Sequence, residues 1–365
     1  MPEIIDNLLR ELVARDASDL HIKCGKQPVM RIRGDLERIG PVLSDDQVHD
    51  LLYSILGDDR REKLESFKEL DLSYYVEGLA RFRVNMFWQR HKIGAVFRVI
   101  PYNIRTIEQL GLPPVTRNIA LAPRGLVLVT GPTGSGKSTS LAAMINHINE
   151  NRKLHIMTVE DPIEYVHRDK TSIINQRELG TDTHSFAEAL KHVMRQNPDV
   201  ILVGEMRDLE TIQLAITAAE TGHLVFSTLH TVDAAQTIDR IVDVFPPNQQ
   251  AQIRTQLGVT IQAIVSQTLL PTKDGTGRVA AFEVLVANPA IRTLIREGKT
   301  HQIYMDIQTG GDQGMQTLDG HLLKLLGDGV VDFEHALGKC SNVAEFVRRA
   351  TNMGIAGDGG KVAAS

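Results

Sequence analysis

Eight residues constrain this chain more than any others: Gly131-Pro132-Thr133-Gly134-Ser135-Gly136-Lys137-Ser138. They fit the pattern G-x-x-x-x-G-K-[ST] at every fixed position. A short apolar run at 126–130 precedes them, and the residues at 138–149 that follow have apolar side chains at a helical spacing. The order of strand, loop and helix predicts a loop whose backbone N–H groups surround a phosphate at the N-terminus of a helix.

The loop also predicts roles for individual side chains. We expect Lys137 to reach the β- and γ-phosphates of a nucleotide, and Ser138 to give its hydroxyl to Mg²⁺. The candidate nucleotide-binding residues are the loop and the residue after it, which are Gly131, Pro132, Thr133, Gly134, Ser135, Gly136, Lys137, Ser138 and Thr139.

Length and composition limit the class of protein. A chain of 365 residues favours two domains, because single cores rarely grow beyond about 250–300 residues. A formal net charge of -5 argues against general binding to a nucleic-acid backbone. Glu3 and Asp6 lie where a signal peptide would be positively charged, so we expect a cytoplasmic protein. Cys24 and Cys340 match no zinc spacing.

The order of predicted elements divides the chain into four parts. Residues 1–100 mix helical patterns with strand patterns and predict a small α+β domain, with helices at 4–13 and 45–56 and strands at 19–23, 29–34, 70–76, 80–87 and 94–100. Residues 101–114 are rich in proline and predict a linker with a short helix at 106–110. The last twelve residues, 354–365, predict a disordered tail because they are mostly Gly and Ala.

The region 115–353 alternates short apolar runs with helical patterns. Such alternation predicts a largely parallel sheet covered by helices on both faces. The predicted strands are 126–130, 155–159, 200–203, 224–227 and 279–286, and the clearest helices are 186–194 and 209–221.

A hairpin in the first domain is crowded with arginine. Arg81 and Arg83 are two residues apart on a predicted strand, so they share one face while Phe82 and Val84 point to the other. Two interpretations stay open for the face that Arg98 joins. It is either a solvated sheet surface or a surface that meets phosphates or carboxylates.

Carboxylates follow two of the predicted strands, where an open parallel sheet binds its ligand. Glu160, Asp161 and Glu164 come after 155–159, and we expect at least one of them to polarise water or to hold the Mg²⁺ shell. Glu205 follows 200–203, with Gly204 at the position where an Asp often stands. Glu205 is therefore predicted to orient the attacking water and to contact Mg²⁺ through water.

Two histidines flank the apolar run at 224–229. If the segment is extended, His223 and His230 are roughly 23 Å apart and cannot both reach one phosphate. His230, at the carboxyl end, is predicted to lie near the nucleotide, and His223 to face another subunit or domain.

Together these motifs resemble those of the secretion-type traffic ATPases, and most closely the type IV pilus retraction ATPases. The resemblance is carried by the loop, an acidic box, a strand that ends in Glu205, a histidine box and a carboxyl-terminal motif, at 131–138, 158–164, 199–208, 221–230 and 290–297. Thr293 departs from the Asn of the last motif.

The resemblance implies a PAS-like amino-terminal domain followed by a RecA-like P-loop domain of the α/β class. It implies a homo-hexamer, cytoplasmic and peripheral to the inner membrane at the pilus base, which hydrolyses ATP with Mg²⁺ to retract pili for twitching motility. The force would act through an inner-membrane platform protein and indirectly on pilin. The site residues it implies are catalytic Glu205, Glu164, Lys137 and His230, and nucleotide-binding Glu160, His223, Arg81, Arg83 and Arg98.

Other functions remain open at this point. A pilus assembly ATPase usually has an additional amino-terminal domain and a C-x-x-C pair, whereas we expect this chain to begin with the PAS-like domain, and its two cysteines are isolated. An accessory retraction ATPase would work only beside a main motor. A RecA-like nucleic-acid translocase would need a basic surface, and a GTPase would need an Asn-Lys-x-Asp string, which does not occur.

Lys137→Ala should abolish ATP hydrolysis and leave thermal unfolding nearly unchanged. The substitution removes phosphate neutralisation from an exposed loop and takes nothing from a core. An ATPase assay beside a circular-dichroism melting curve checks this. A variant with wild-type turnover would contradict the assignment of the site.

Overall fold

A computed structural model describes residues 2–32, 34–100 and 103–355. The chain divides into two units, Met1–Asn103 with Glu164–Val166, and Ile104–Ile163 with His167–Ser365. Most of the predicted tail, from residue 356 onward, lies outside the described residues, as do 101–102 of the predicted linker. In the described part of the chain no helix is long and apolar enough to cross a membrane.

The first unit is an antiparallel sheet with helices on one face. Its elements are α1 (Pro2–Ala14), β1 (Ala17–Lys23), β2 (Val29–Ile32), β3 (Asp35–Arg38), α2 (Asp45–Tyr53), α3 (Asp58–Phe67), β4 (Glu69–Val76), β5 (Ala80–Gln89) and β6 (Lys92–Ile100). The strand order is β3-β2-β1-β6-β5-β4, and every neighbouring pair is antiparallel. This agrees with the predicted α+β class.

The core of the first unit follows from alternation along its strands. Phe82 and Val84 on β5 are fully buried, and they pack with Ile5 and Leu9 of α1. The residues between them, such as Arg83, point to the opposite face. The interpretation of the arginine hairpin as a strand with one apolar face is therefore confirmed.

The second unit is built on a seven-stranded sheet of order β13-β12-β7-β11-β10-β8-β9. All neighbouring pairs are parallel except β12 with β13. The strands are β7 (Gly125–Thr130), β8 (His155–Glu160), β9 (Ile173–Glu178), β10 (Val200–Val203), β11 (Leu224–Leu229), β12 (Ile261–Pro271) and β13 (Arg278–Val286).

Helices cover both faces of this sheet, as predicted. Along β7, Leu126 and Leu128 belong to the core on one face, while Val127 and Val129 belong to the core on the other. The helices are α4 (Val115–Ala120), α5 (Lys137–Asn151), α6 (Phe186–Val193), α7 (Leu209–Glu220), α8 (Ala234–Asp243), α9 (Pro247–Thr260), α10 (Pro289–Glu297), α11 (Ile303–Thr309), α12 (Leu318–Gly327), α13 (Phe333–Leu337) and α14 (Val343–Asn352).

The prediction of a short helix at 106–110 is wrong. The segment makes one helical turn, in which Leu110 N–H donates to Thr106 O. It then ends at Gly111, whose φ angle is 64° and lies in the left-handed region. Pro113, two residues further on, has no N–H with which to continue a helix.

A carboxyl group is buried where β13 meets the start of α8. Glu283 is 4% exposed, and its Oε1 accepts a 2.8 Å hydrogen bond from Ala234 N–H. Burial raises the pKa of Glu283 to about 7, and the nearby carboxylates Asp233 and Asp319 act in the same direction. The bond fixes the first residue of α8, four positions after His230.

Glu283→Gln should stabilise the fold at pH 8 and have little effect at pH 5. The native pKa exceeds the unfolded value of about 4.3, so wild-type stability falls as pH rises between about 4 and about 7. Gln does not titrate and keeps an acceptor oxygen for Ala234, so the gain above pH 7 is on the order of 3 kcal/mol.

Denaturant unfolding at both pH values measures this difference. Glu334→Gln, at an exposed position on α13, is the matched control and should change stability little at either pH. An equal effect of Glu283→Gln at pH 5 and pH 8 would contradict a titrating buried carboxyl group.

Candidate nucleotide-binding and catalytic site

The loop between β7 and α5 has the backbone that its glycines predict. Gly131, Gly134 and Gly136 have φ angles of 140°, 78° and 89°, which side chains rarely tolerate. Lys137 Nζ donates to the carbonyl oxygens of Gly131 at 2.8 Å and Pro132 at 3.1 Å. The loop therefore curves around the ammonium group that is predicted to meet the phosphates.

The ends of β10 and β11 bring Glu205 and His230 to this lysine. His230 Nδ1 lies 3.5 Å from Lys137 Nζ, and His230 Nε2 lies 3.1 Å from Glu205 Oε1. The other oxygen of Glu205 accepts a 2.7 Å hydrogen bond from Arg207. Three of the four residues predicted to be catalytic thus form one continuous group.

Glu205 has the electrostatics of an ionised carboxylate. Burial would raise its pKa, but Arg207 and His230 more than offset this, so the pKa of Glu205 lies below its ordinary value. The side chain keeps 19% of its surface exposed. An ionised, partly exposed carboxylate can accept a hydrogen bond from a water molecule and orient it.

A pocket beside Glu205 gives water room to approach. Its volume is about 250 Å³, several times the roughly 30 Å³ that one water molecule occupies in the liquid. It is lined by Glu205, Met206, Arg207, Ile212, Leu229, His230, Thr231, Arg240 and Val244.

Close packing explains the glycine that precedes Glu205. A Cβ on Gly204 would lie 3.3 Å from the Cα of Glu160 and 3.3 Å from Val159 O. Gly204 N–H donates to Val159 O, and Thr228 Oγ1 donates to Gly204 O at 2.6 Å. A larger residue at 204 would require the end of β8 to shift by a few tenths of an ångström, and in this chain the carboxylate stands at the next position, 205.

The acidic box is held in place by its neighbours. Glu160 Oε1 accepts hydrogen bonds from Thr158 Oγ1 at 2.6 Å and from Gln176 Nε2 at 3.1 Å. The buried Glu178 accepts a 3.1 Å bond from Ile163 N–H. Glu164 is exposed and groups with the first unit, and its catalytic role stays a prediction.

The two histidines lie at opposite ends of β11, as the extended interpretation requires. His223 Nδ1 is 2.9 Å from Ala218 O and 3.3 Å from Thr221 Oγ1, at the start of the strand. His230 follows the last residue of the strand. A nucleotide-binding role for His223 stays a prediction.

The predicted arginines form a row across the sheet of the first unit. Arg83 on β5 is paired directly with Arg98 on β6, and Arg81 lies two residues along the same strand. Arg98 Nε donates to Asp19 at 2.8 Å. Burial would raise the pKa of Asp19, but hydrogen bonds from Ser18 and Arg98 lower it overall. One buried carboxylate thus anchors a strongly basic face.

The donors expected for Mg²⁺ are oxygens, as that ion prefers. Ser138 is half-buried in the first turn of α5, and the carboxylates of Glu205 and Glu160 end the neighbouring strands β10 and β8. Across the described residues, no group of three or more His, Cys, Asp or Glu side chains could hold a metal ion alone.

Residues 1–337 match the family model described as type II/IV secretion system protein. The chain belongs to this family. The resemblance to the traffic ATPases is thereby confirmed, and with it the α/β fold of the P-loop unit. A separate PAS-like identity for the first unit stays a prediction.

Several members of the secretion family resemble this chain over most of its length. The type IV pilus retraction ATPase PilT of Pseudomonas aeruginosa is 54% identical over 343 residues, which is 94% of this chain and 99% of that protein. A twitching motility protein of Neisseria gonorrhoeae is 52% identical over 316 residues, 86% of this chain and 84% of that protein. A crystal structure of the pilus retraction motor PilT with bound ADP superposes with a TM-score of 0.88 at 46% identity, covering 95% of this chain and 99% of that one.

The carboxyl-terminal motif of this family member has a structural role in α10. Arg292 donates to the carbonyl oxygens of Gly258 at 3.0 Å and Val259 at 2.6 Å, at the end of α9. Thr293 donates to Pro289 O at 2.9 Å and accepts a 3.0 Å bond from Arg296. The hydrogen bonds of the Thr293 hydroxyl therefore stay within its own helix.

Two residues that contact the site in this chain, Arg207 and Gln267, are not among those predicted from the sequence. Arg207 lies two positions beyond Glu205, and an arginine so close to a candidate carboxylate is a usable signal. Gln267 lies on β12, a strand that was not predicted because α9 passes into it without a turn residue. Only the sheet order brings Gln267 to the loop.

Glu205→Gln should leave ATP binding intact and lower turnover by about 10²- to 10⁴-fold, as expected for the loss of a general base. The substitution preserves size but removes the charge that orients water. Steady-state ATPase rates with a nucleotide-binding titration check this. Glu210→Gln, which alters an exposed ion pair with Lys191, is the control and should turn over normally. Normal turnover in Glu205→Gln combined with a large loss in Glu164→Gln would move the base to the acidic box.

Proposed function

We propose that this chain is a mechanochemical ATPase that powers type IV pilus retraction and twitching motility. The observation that carries the proposal is the continuous group of Lys137, His230 and Glu205 at a phosphate-binding loop. It occurs in a chain whose similarity to retraction ATPases extends over both units.

ATP binding is assigned to the loop and to the start of α5. The backbone N–H groups of residues 133–138 would surround the β- and γ-phosphates, where the positive end of the helix dipole also favours anions. Lys137 Nζ exchanges its contacts with Gly131 O and Pro132 O for phosphate oxygens. Mg²⁺, held by the Ser138 hydroxyl and by water, would neutralise charge on the phosphates during transfer.

Hydrolysis is assigned to Glu205. Its carboxylate accepts a hydrogen bond from the attacking water and directs the oxygen toward the γ-phosphorus. Arg207 supports this role because it keeps Glu205 ionised. It donates a hydrogen bond to Oε2 of Glu205, and Oε1 faces His230. The products are ADP and inorganic phosphate.

His230 is assigned to sensing of the γ-phosphate. One ring nitrogen faces Lys137 and the other faces Glu205, so a change at the lysine alters the orientation of the ring. Loss of the γ-phosphate would therefore change the position of the end of β11 and of α8, which begins four residues after His230. The contacts of His230 with both Lys137 and Glu205 would couple ATP hydrolysis to a conformational change.

The arginine face of the first unit is assigned to the phosphates of ATP. A guanidinium that reaches transition-state charge is worth roughly 10³ to 10⁵ in rate, so domain closure would gate hydrolysis. The assembly we propose is a hexamer on the cytoplasmic side of the inner membrane, at the pilus base. It acts on a platform protein, and through it on pilin.

Charge reversal tests the arginine face directly. Arg83→Glu should lower ATP turnover by at least tenfold without removing ADP binding to the loop, because the loop lies in the other unit. Lys63→Glu is the control, since α3 packs on the opposite face of the same sheet, and it should have little effect. Turnover in Arg83→Glu equal to that of Lys63→Glu would contradict the assignment.

Deletion of the gene tests the biological role. We expect cells with more surface pili and no twitching, restored by the wild-type chain but not by Lys137→Ala. Loss of all pili would indicate an assembly motor. ATPase stimulation by DNA that disappears at high salt would indicate a translocase instead.

A further inference from the structure

Strand β12 extends beyond its neighbour and forms a wall beside the phosphate-binding loop. Its pairing with β7 ends at Ser266 and Thr130, but β12 continues to Pro271. Gln267 is the first residue past the end of that pairing, and it is only 3% exposed. A long polar side chain is thus buried where β7 turns into the loop.

Gln267 contacts both ends of the loop. Its Nε2 donates a 2.6 Å hydrogen bond to Ser135 O. Its own carbonyl oxygen would lie 2.2 Å from a Cβ on Gly131, and its Nε2 would lie 3.2 Å from a Cβ on Gly136. Gly131 is therefore needed for the close approach of the Gln267 carbonyl, and a side chain at 136 would crowd the Gln267 amide.

The hydrogen bond to Ser135 O sets the orientation of a whole peptide group. A peptide bond is planar and trans, so its C=O and its N–H point in opposite directions. With Ser135 O directed at Gln267, the N–H of Gly136 points away from β12. Within the described residues this N–H has no hydrogen-bond acceptor.

We propose, resting on the nucleotide-binding function proposed above, that Gln267 is a positioning residue that aims the Gly136 N–H at a nucleotide phosphate. The side chain acts through the Ser135–Gly136 peptide and does not itself touch the nucleotide. Its effect is on phosphate binding, because a preset N–H needs no reorientation when the ligand arrives.

The amide chemistry of Gln267 supports this assignment. Of the two polar groups of the amide, only the NH₂ group can donate to the Ser135 carbonyl, while Oε1 is buried and has no partner among the described residues. A buried acceptor without a partner costs about 1–3 kcal/mol. The fold thus tolerates an unfavourable oxygen beside the useful NH₂ group, which indicates that the residue serves binding more than stability.

Gln267→Met in the full-length chain is the first test. Met matches the size of Gln but cannot donate, so the Kd for ADP and the KM for ATP should both rise about tenfold, with kcat changed less than about threefold. A joint rise with little change in kcat is expected because the phosphate contact exists in the ground state and the transition state alike. The melting temperature should change little, since the unpartnered Oε1 is lost together with the bond.

Thr268→Val is the matched control for Gln267→Met. Thr268 is the next residue on β12, is 9% exposed and points to the opposite face of the sheet. Its substitution should leave ADP affinity within about twofold of wild type. Equal affinities in wild type and Gln267→Met, or equal losses in Gln267→Met and Thr268→Val, would overturn the proposal.

Gln267→Glu supplies a second test that does not depend on the Met variant. An ionised Glu cannot donate to Ser135 O, whereas a protonated Glu can donate through its hydroxyl. The ratio of variant Kd to wild-type Kd for ADP should therefore decrease as the pH is lowered from 8 to 5. A ratio that is constant across this range would overturn the proposal, because a purely structural defect has no reason to follow the protonation of residue 267.

Discussion

The convergence of adjacent parallel strand ends is the constraint on which the site depends. β7, β11 and β10 are neighbours, so the residues that follow them meet at one edge of the sheet. Lys137 arrives by way of the loop after β7, His230 follows β11, and Glu205 follows β10. These three polar side chains contribute little hydrophobic burial to the free energy of folding. The buried strands β7, β10 and β11 stabilise this part of the fold instead.

The same edge retains buried polar groups that a stability-driven core would exclude. Gln267 Oε1, Ser135 Oγ and Ser227 Oγ are buried without partners within the described residues. Each costs free energy when the chain folds. These three atoms lie in β11, β12 and the phosphate-binding loop, where the position of a side chain matters more than its contribution to stability. Glu283 on the neighbouring strand β13 is a further buried polar side chain, and it accepts a hydrogen bond from the first residue of α8.

Much of the fold follows from local patterns. Alternation placed Phe82 and Arg83 on opposite faces of β5, and helical spacing placed the buried residues of α5. Prediction missed α3 because its sequence is highly charged and buries only Leu64, so it has little amphipathic signal. It also missed β12, where α9 ends at Thr260 and the strand begins at Ile261 without a turn residue. A helix at 106–110 was expected where the chain makes a single turn.

The sequence by itself determined the phosphate-binding loop, the parallel class of the sheet and the identities of Lys137, Glu205 and His230. These are properties of short segments, set by backbone freedom at glycine and by the period of apolar residues. Only the tertiary structure decided which strands are neighbours, and therefore that His230 lies between Lys137 and Glu205 and that Gln267 contacts Ser135. The contacts Lys137–His230 and Ser135–Gln267 join residues 93 and 132 positions apart, and no local pattern encodes them because strand order is fixed by how the whole core packs.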